Sequence, residues 1–205
     1  NLSASTSCEA TLPDLRGEFA VSDNCDSSLT ITQTPSGGAT LSLGPHTVTM
    51  RAADDAGNFE ECTVSVTVVD DTDPVITVCP AARELDADDT CQIAIPDLRG
   101  EVTATDNCGA PTITQTPAAG TPVGLGLTTV TIRATDGAGL YDECTVDITV
   151  ADNTAPIVDT CPADRNLTAD TSCEALVPDL VAETAAHDNC DSAPVIAQSI
   201  PAGDR

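Results

Sequence analysis

The cysteines of this chain recur at a fixed interval, and this limits the fold more than any other feature. The chain has ten cysteines in 205 residues. The sets that recur at a spacing of about 82 residues are Cys8, Cys91 and Cys173; Cys25, Cys108 and Cys190; Cys62 and Cys144; and Cys79 and Cys161. A fixed period of this length indicates tandem copies of one structural unit. The chain is therefore predicted to be a repeat array.

The sequence between the cysteines repeats as well. The segment PDLRGE at residues 13–18 returns at 96–101, and Asp-Asn-Cys occurs at 23–25, 106–108 and 188–190. Acidic stretches at 70–74 and 152–156 resemble joints. We predict a first repeat over residues 1–72 without its first strand, a complete repeat over 73–153, and a third over 154–205 that is truncated at its C-terminal end.

Alternating apolar and polar residues predict β-strands. The clearest apolar series are Val130, Ile132 and Ala134; Cys144, Val146, Ile148 and Val150; and Cys91, Ile93 and Ile95. This period of two indicates strands with one buried face, and Gly, Pro, Asn and Asp clusters separate them. About seven short strands per repeat suit an antiparallel sandwich. The predicted fold is all-β, with tandem immunoglobulin-like antiparallel β-sandwiches of about 82 residues stapled by disulfides.

Charge and cysteine content restrict the location and the partners. The formal net charge is −26 and the chain has no Lys, which argues against nucleic acid or anionic membranes as partners. The cysteine density is typical of an oxidising, extracellular compartment. Because no apolar run is long enough to span a bilayer, no membrane insertion is expected, and no signal peptide is recognisable at residue 1.

The order of these motifs resembles that of the hyalin-repeat (HYR) domain. The matching segments of the second repeat are Pro74-Val75-Ile76, Cys79-Pro80, Asp106-Asn107-Cys108, Asp136-Gly137-Ala138-Gly139, Cys144-Thr145-Val146 and Asp152. One departure is Leu140, where the family usually has Asn; the first repeat keeps Asn58 after Gly57. The resemblance implies an immunoglobulin-like fold, an extracellular adhesive or matrix role, and no catalytic residues.

Four cysteines per repeat allow three pairings. We predict short-range pairs within each repeat, between a cysteine that opens a strand and the one after the following loop: Cys8 with Cys25, Cys91 with Cys108, and Cys173 with Cys190. The family pattern also implies a Cys79–Cys144 disulfide, which would leave Cys62 and Cys161 to partners outside residues 1–205. The alternative joins Cys62 to Cys79 and Cys144 to Cys161 across the joints. Metal–thiolate binding is less favoured because no CxxC motif is present.

Oxygen-bearing side chains gather at the predicted joints, where calcium could bind. Calcium takes six to eight oxygen ligands from carboxylates, amides and carbonyls. The candidate ligands are Asp70, Asp71, Asp73, Asp106, Asn107 and Asp136 at the first joint, Asp152, Asn153, Asp188 and Asn189 at the second, and Asp23, Asn24, Asp54 and Asp55 in the first repeat. The alternative is that these residues serve only the turns, which favour Asp and Asn.

These observations predict a structural or adhesive segment of a secreted or cell-surface array, matrix or filament. Its expected partners are neighbouring repeats or copies of the same chain, and a surface protein or glycan is a further candidate. The alternatives are a ligand-binding module or an accessory region of a secreted enzyme. The chain itself is not expected to be an enzyme, because His46 and His187 occupy unrelated positions in different repeats. Asn1 and Asn166 begin equivalent N-glycosylation sequons.

Overall fold

A computed structural model describes residues 1–204, and its regular elements are strands with a few short 3-10 turns. In residues 1–72 the strands are β1 (Leu2–Ser3), β2 (Glu9–Thr11), β3 (Thr30–Thr34), β4 (Thr40–Ser42), β5 (Gly44–Ala53) and β6 (Phe59–Val69). In residues 73–153 they are β7 (Val75–Val78), β8 (Arg83–Asp86), β9 (Gln92–Ala94), β10 (Thr103–Thr105), β11 (Thr112–Thr116), β12 (Pro122–Gly124), β13 (Gly126–Thr135) and β14 (Tyr141–Ala151). Residues 154–204 contain β15 (Ile157–Thr160) and β16 (Ala185–His187). The predicted all-β fold of immunoglobulin-like repeats is confirmed.

The same strand order occurs in the first two repeats. A four-stranded sheet has the order β1-β6-β5-β3 in the first repeat and β8-β14-β13-β11 in the second. A separate pair, β2-β4 or β9-β12, forms the opposite layer. β1 and β8 run parallel to the last strand of their repeat. The pairs β2-β4, β3-β5, β5-β6, β9-β12 and β11-β13 are antiparallel. Further antiparallel pairs are β7-β10 in the second repeat and β15-β16 in the third.

The described residues form two compact units. One unit contains residues 1–80, 98–116 and 131–145, and the other contains 81–97, 117–130 and the chain from Val146 onward. Each unit therefore combines segments of two successive repeats, so each contains one joint. The boundaries predicted at residues 72 and 153 follow the sequence period and stay predictions.

The cores are built from aliphatic side chains that alternate along the strands. In the first repeat one cluster combines both layers: Ala10, Leu12, Leu41, Val48, Met50 and Val68. In the second repeat the predicted inward series Val130, Ile132 and Ala134 is fully buried, and Val146, Ile148 and Val150 are nearly so. Residues 154–204 contain no buried side chain. Sandwich packing in the first two repeats thus follows the period-two pattern.

Two aromatic side chains lie outside these cores. Phe59 and Tyr141 occupy equivalent positions and are about half exposed. The guanidinium of Arg51 lies 3.7 Å from the centre of the Phe59 ring, and that of Arg133 lies 3.8 Å from the centre of the Tyr141 ring. These cation–π contacts cover the rings on the sheet surface. Aromatic burial at these two positions therefore adds little to core stability.

A buried glutamine anchors the Pro-Asp-Leu segment of the first repeat. Gln33, which is 8% exposed, accepts a hydrogen bond from the Leu15 backbone N–H at 2.7 Å. Its amide nitrogen donates to the Pro13 carbonyl at 3.0 Å. Gln115 and Gln198 make the equivalent contact with the backbone N–H of Leu98 and Leu180. A glutamine side chain therefore contacts the Pro-Asp-Leu segment in all three repeats.

We expect Gln33→Leu to lower the free energy of unfolding by about 1–3 kcal/mol, because a partly buried N–H and carbonyl lose their partners. Thermal unfolding followed by circular dichroism measures the change. Gln92→Leu is the matched control, since Gln92 is exposed, and it should shift stability by no more than about 0.5 kcal/mol. Equal destabilisation by both variants would contradict an anchoring role for Gln33.

Candidate functional site at the joints between repeats

A tight turn that recurs at the same position of each repeat places one cysteine in a left-handed backbone conformation. Cys8, Cys91 and Cys173 have φ values of 61°, 59° and 62°. At the second of these turns, the Asp88 carboxylate accepts the Thr90 N–H at 2.8 Å, and the Cys91 N–H donates to the Asp88 carbonyl at 2.9 Å. Positive φ is costly for a residue with a Cβ and persists only where the surroundings enforce it. The turn therefore orients the cysteine.

The Asp-Asn-Cys triplet of the following repeat docks on this turn. Asp106 accepts the Cys108 N–H at 2.8 Å, which holds the loop, and Asn107 donates its amide N–H to the Ser5 carbonyl at 3.2 Å. The second joint repeats the arrangement: Asn189 donates to the Asp88 carbonyl, also at 3.2 Å. The aspartate therefore shapes the loop, while the asparagine attaches it to the preceding repeat.

The third residue of the triplet closes the joint covalently. Cys108 is bonded to Cys8, with 4.6 Å between their Cα atoms. Cys190 is bonded to Cys91, with 5.2 Å between their Cα atoms. Both disulfides join one repeat to the next. A third disulfide, Cys79–Cys144, lies within the second repeat, with a Cα separation of 6.3 Å, and it is the pairing that the family resemblance implied.

The structure corrects the predicted short-range pairing within each repeat. Cys8, Cys91, Cys108 and Cys190 are bonded across the joints and not as Cys8–Cys25, Cys91–Cys108 or Cys173–Cys190. Proximity along the sequence suggested pairs within a repeat, but the turn and the docked triplet bring distant parts of the sequence into contact. The alternative pairs Cys62–Cys79 and Cys144–Cys161 are also not formed, because Cys79 is bonded to Cys144. Within residues 1–204, Cys25, Cys62, Cys161 and Cys173 are exposed and unbonded.

Three of the predicted calcium ligands converge at the first joint. One carboxylate oxygen from each of Asp70, Asp106 and Asp136 lies within 4.8 Å of the others. Asp136 uses one oxygen to accept the N–H groups of Gly139 and Leu140, and its other oxygen is buried without a hydrogen-bond partner. Asp106 likewise keeps one buried oxygen without a partner. The turns therefore hold the two carboxylates in place while each retains an unused oxygen.

The other candidates at the first joint have different surroundings. Asp71 accepts a hydrogen bond from the Ser3 hydroxyl at 2.6 Å, and Asp73 is exposed. The side-chain oxygen of Asn107 is buried without a hydrogen-bond partner. Asp142, which the sequence analysis did not select, accepts the Ile76 N–H at 2.9 Å. A single acid at the start of a strand has no distinctive sequence signature, so the sequence does not predict this contact.

The second joint reproduces part of this arrangement. The pKa of Asp188 is lowered, first by the backbone N–H groups of Asp191 and Cys190, with smaller contributions from Asp152 and His187. Asn153 donates to Asp86 at 2.7 Å; these positions correspond to Asp71 and Ser3 at the first joint, where the hydrogen bond runs in the opposite direction, from Ser3 to Asp71. The Asn189 side-chain oxygen is again buried without a hydrogen-bond partner. Asp152 and Asp188 thus correspond to Asp70 and Asp106.

The candidate calcium ligands of the first repeat mainly make hydrogen bonds within their own turns. Asp23 accepts the N–H groups of Cys25 and Asp26, each at 2.8 Å. The side-chain amide of Asn58 lowers the pKa of Asp54. The backbone N–H of Asp55 donates to Asp26, and Asn24 is exposed. These contacts agree with the alternative that the Asp and Asn residues of this repeat serve only to stabilise turns.

Several solved structures of extracellular repeat proteins are similar to this chain. They include protocadherin gammaB7 repeats EC3-6 in a cis-dimer structure (15% identity, 86% of this chain and 50% of that chain, TM-score 0.31), the human Desmocollin-1 ectodomain (14%, 65% and 36%, TM-score 0.31) and Sidekick-1 immunoglobulin domains 1–4 (12%, 79% and 51%, TM-score 0.28). The chain spans about half of these proteins or less. No curated protein matches it.

Within residues 1–204 no helix has the length and apolar character needed to span a bilayer.

A comparison with models of protein families assigns this chain to a family. The HYR domain model matches residues 17–68 and 69–150, which together exceed half of the sequence. On this match, the chain belongs to the HYR domain family.

Proposed function

We propose that this chain is a structural, adhesive segment of an extracellular array without catalytic activity. In this role each repeat acts as a spacer, and the chain associates with neighbouring repeats or with further copies of itself. The acidic surface keeps such an array soluble and limits nonspecific association. Asn1 and Asn166 are both exposed, as glycosylation would require.

The disulfides that join successive repeats carry this proposal. Cys8–Cys108 and Cys91–Cys190 hold the Asp-Asn-Cys loops on the preceding turns. Such bonds restrict bending at the joints and persist only in an oxidising compartment. A spacer that acts outside the cell needs both properties, whereas a soluble catalytic domain has no need of repeated covalent joints.

Antibody labelling of intact source cells and their surrounding matrix, combined with thiol alkylation, tests the proposed role. We expect labelling without permeabilisation, and we expect the joint cysteines of the extracted protein to resist alkylation until a reductant is added. Labelling confined to permeabilised cells, together with freely alkylated joint cysteines, would overturn the extracellular role.

We further propose that the first joint binds calcium through Asp70, Asp106 and Asp136. The buried unpartnered oxygens of Asp106 and Asp136 fit a hard cation, which prefers carboxylate oxygen ligands. A bound divalent cation would also offset the repulsion among three carboxylates. Calcium would therefore hold the linker residue Asp70 against the two loops of the second repeat and stiffen the joint.

Calcium is expected to raise the melting temperature of the oxidised chain. A ligand that binds only the folded state adds about 2–3 kcal/mol of stability at a hundredfold excess over its dissociation constant. Calorimetric melts in calcium and in chelator measure this difference. In Asp106→Asn the calcium-dependent increment should fall by more than half, because one ligand charge is lost while an acceptor for the Cys108 N–H is retained.

The matched control is Asp89→Asn, an isosteric change at an exposed acid of another turn, which should keep the full calcium increment. Identical wild-type melts with and without calcium would remove the calcium proposal. So would equal loss of the increment in both variants, because that result would indicate a general charge effect. The acids would then serve only the turns.

A further inference from the structure

The order of the bonded cysteines creates a short covalent route through the chain. Cys91 and Cys108 lie close together in the sequence of the second repeat, yet they are bonded to different repeats. We propose that the joint disulfides, Cys8–Cys108 and Cys91–Cys190, make this protein a tether of limited extension. This inference rests on the proposed role in an array. When the chain is pulled at its ends, each repeat adds to the stretched length only the segment between its two joint cysteines.

The route is read from the connectivity alone. It follows residues 1–8, crosses to Cys108, runs back along the chain to Cys91, crosses to Cys190 and continues to the C-terminus. It contains roughly 40 residues, which at about 3.5 Å per residue reach roughly 140 Å. The whole 205-residue polypeptide would reach roughly 700 Å when fully extended.

Unfolding of the repeats does not lengthen this route. The sheet hydrogen bonds and the aliphatic cores are non-covalent and yield when the chain is pulled, whereas the two joint disulfides stay closed. The third disulfide, Cys79–Cys144, lies off the route because both of its cysteines belong to the bypassed chain. The limit on extension therefore comes from two specific bonds and not from the number of disulfides.

The pattern recurs in each repeat. Cys8 and Cys25, and likewise Cys173 and Cys190, have the same spacing as Cys91 and Cys108. Cys173 has the same left-handed backbone as Cys8 and Cys91. The same positions are thus arranged to continue the route, so that only roughly one fifth of each repeat bears tension.

Single-molecule pulling between the two chain ends tests the limit. The background carries Cys→Ser changes at the four unbonded cysteines, Cys25, Cys62, Cys161 and Cys173, to prevent disulfide exchange. When the covalent route is fully extended, the oxidised chain should reach a contour length of roughly 40 residues, or roughly 140 Å. Addition of a reductant should raise the contour length about fivefold.

Two double variants separate the joint disulfides from the internal one. In C8S/C108S the shortest route runs along residues 1–91 and then from Cys190 onward, which lengthens the oxidised chain to roughly 105 residues. The matched control C79S/C144S should keep the wild-type contour length. Because the length is read when the covalent route is fully extended, altered folding stability does not change it. Peptide mapping verifies the disulfides that remain in each variant.

An oxidised wild-type chain that extends to its full length would overturn the proposal. So would C8S/C108S without a length increase, or C79S/C144S with one. Each of these results leaves the extracellular role standing if labelling and alkylation still support it. Conversely, an intracellular location would overturn the array role while the covalent limit on extension could still be measured.

Discussion

Cleavage of the backbone between the second and third repeats will leave a protein of undiminished mass on a non-reducing gel. A short protease recognition sequence inserted after Asn153, in an exposed segment, provides the cut. The Cys8–Cys108 and Cys91–Cys190 loops overlap, so every peptide bond between residues 8 and 190 lies inside at least one disulfide loop. The position after Asn153 lies inside the Cys91–Cys190 loop. Reduction should then release two fragments.

The same insertion in two double variants identifies the bond responsible. C91S/C190S should separate into fragments without reductant, whereas C79S/C144S should stay joined, because that loop closes at Cys144, before the cut. Release of fragments from the oxidised parent chain would show that pairs form within the repeats. The outcome is all or none, and it depends on connectivity alone.

Leu12→Ala is expected to give the largest loss of stability among the single substitutions considered, about 2–5 kcal/mol. Leu12 is fully buried and packs with Leu41, Val48 and Met50 in the core of the first repeat. The core is small and almost entirely aliphatic, so few neighbours can move into the cavity. A loss of this size is comparable to the total stability of a small domain. Equilibrium urea unfolding of the oxidised chain, followed by circular dichroism, measures the change.

Leu43→Ala is the matched control, because the same atoms are removed from a side chain that is 42% exposed in the same repeat. Its effect should stay within about 0.5 kcal/mol. Similar losses in the two variants would contradict the assignment of Leu12 to a tightly packed core. A loss below about 1 kcal/mol for Leu12→Ala would contradict it as well.

The strands were predictable because their determinants are local. Alternation at Val130, Ile132 and Ala134 reports which face of a strand is buried, and the structure buries all three. The repeat period follows from the cysteines and neighbouring motifs in the same way. The role of Gln33 was not predictable, because a glutamine between two threonines resembles an exposed strand residue until the contact with Leu15 is known.

The sequence predicted which residue types form the candidate calcium site, but it predicted only in part which of these side chains lie together. Sequence spacing selected Asp70, Asp106 and Asp136 among many acids, and these three are brought together. It selected Asp71 equally, yet that side chain bonds to Ser3. Which acids face one another depends on the loop conformations at the joint, and a single sequence period does not specify them.

By itself, the sequence determined the all-β class, the repeat length and membership of the HYR family, because strand alternation and motif order are properties of neighbouring residues. Only the tertiary structure decided how the cysteines pair. A disulfide requires two Cα atoms within roughly 7 Å, whatever their separation along the chain. The left-handed turn at Cys91 and the docked loop at Cys190 meet this condition across a sequence separation of 99. Cys108, the nearby partner expected within the same repeat, is bonded to Cys8 instead.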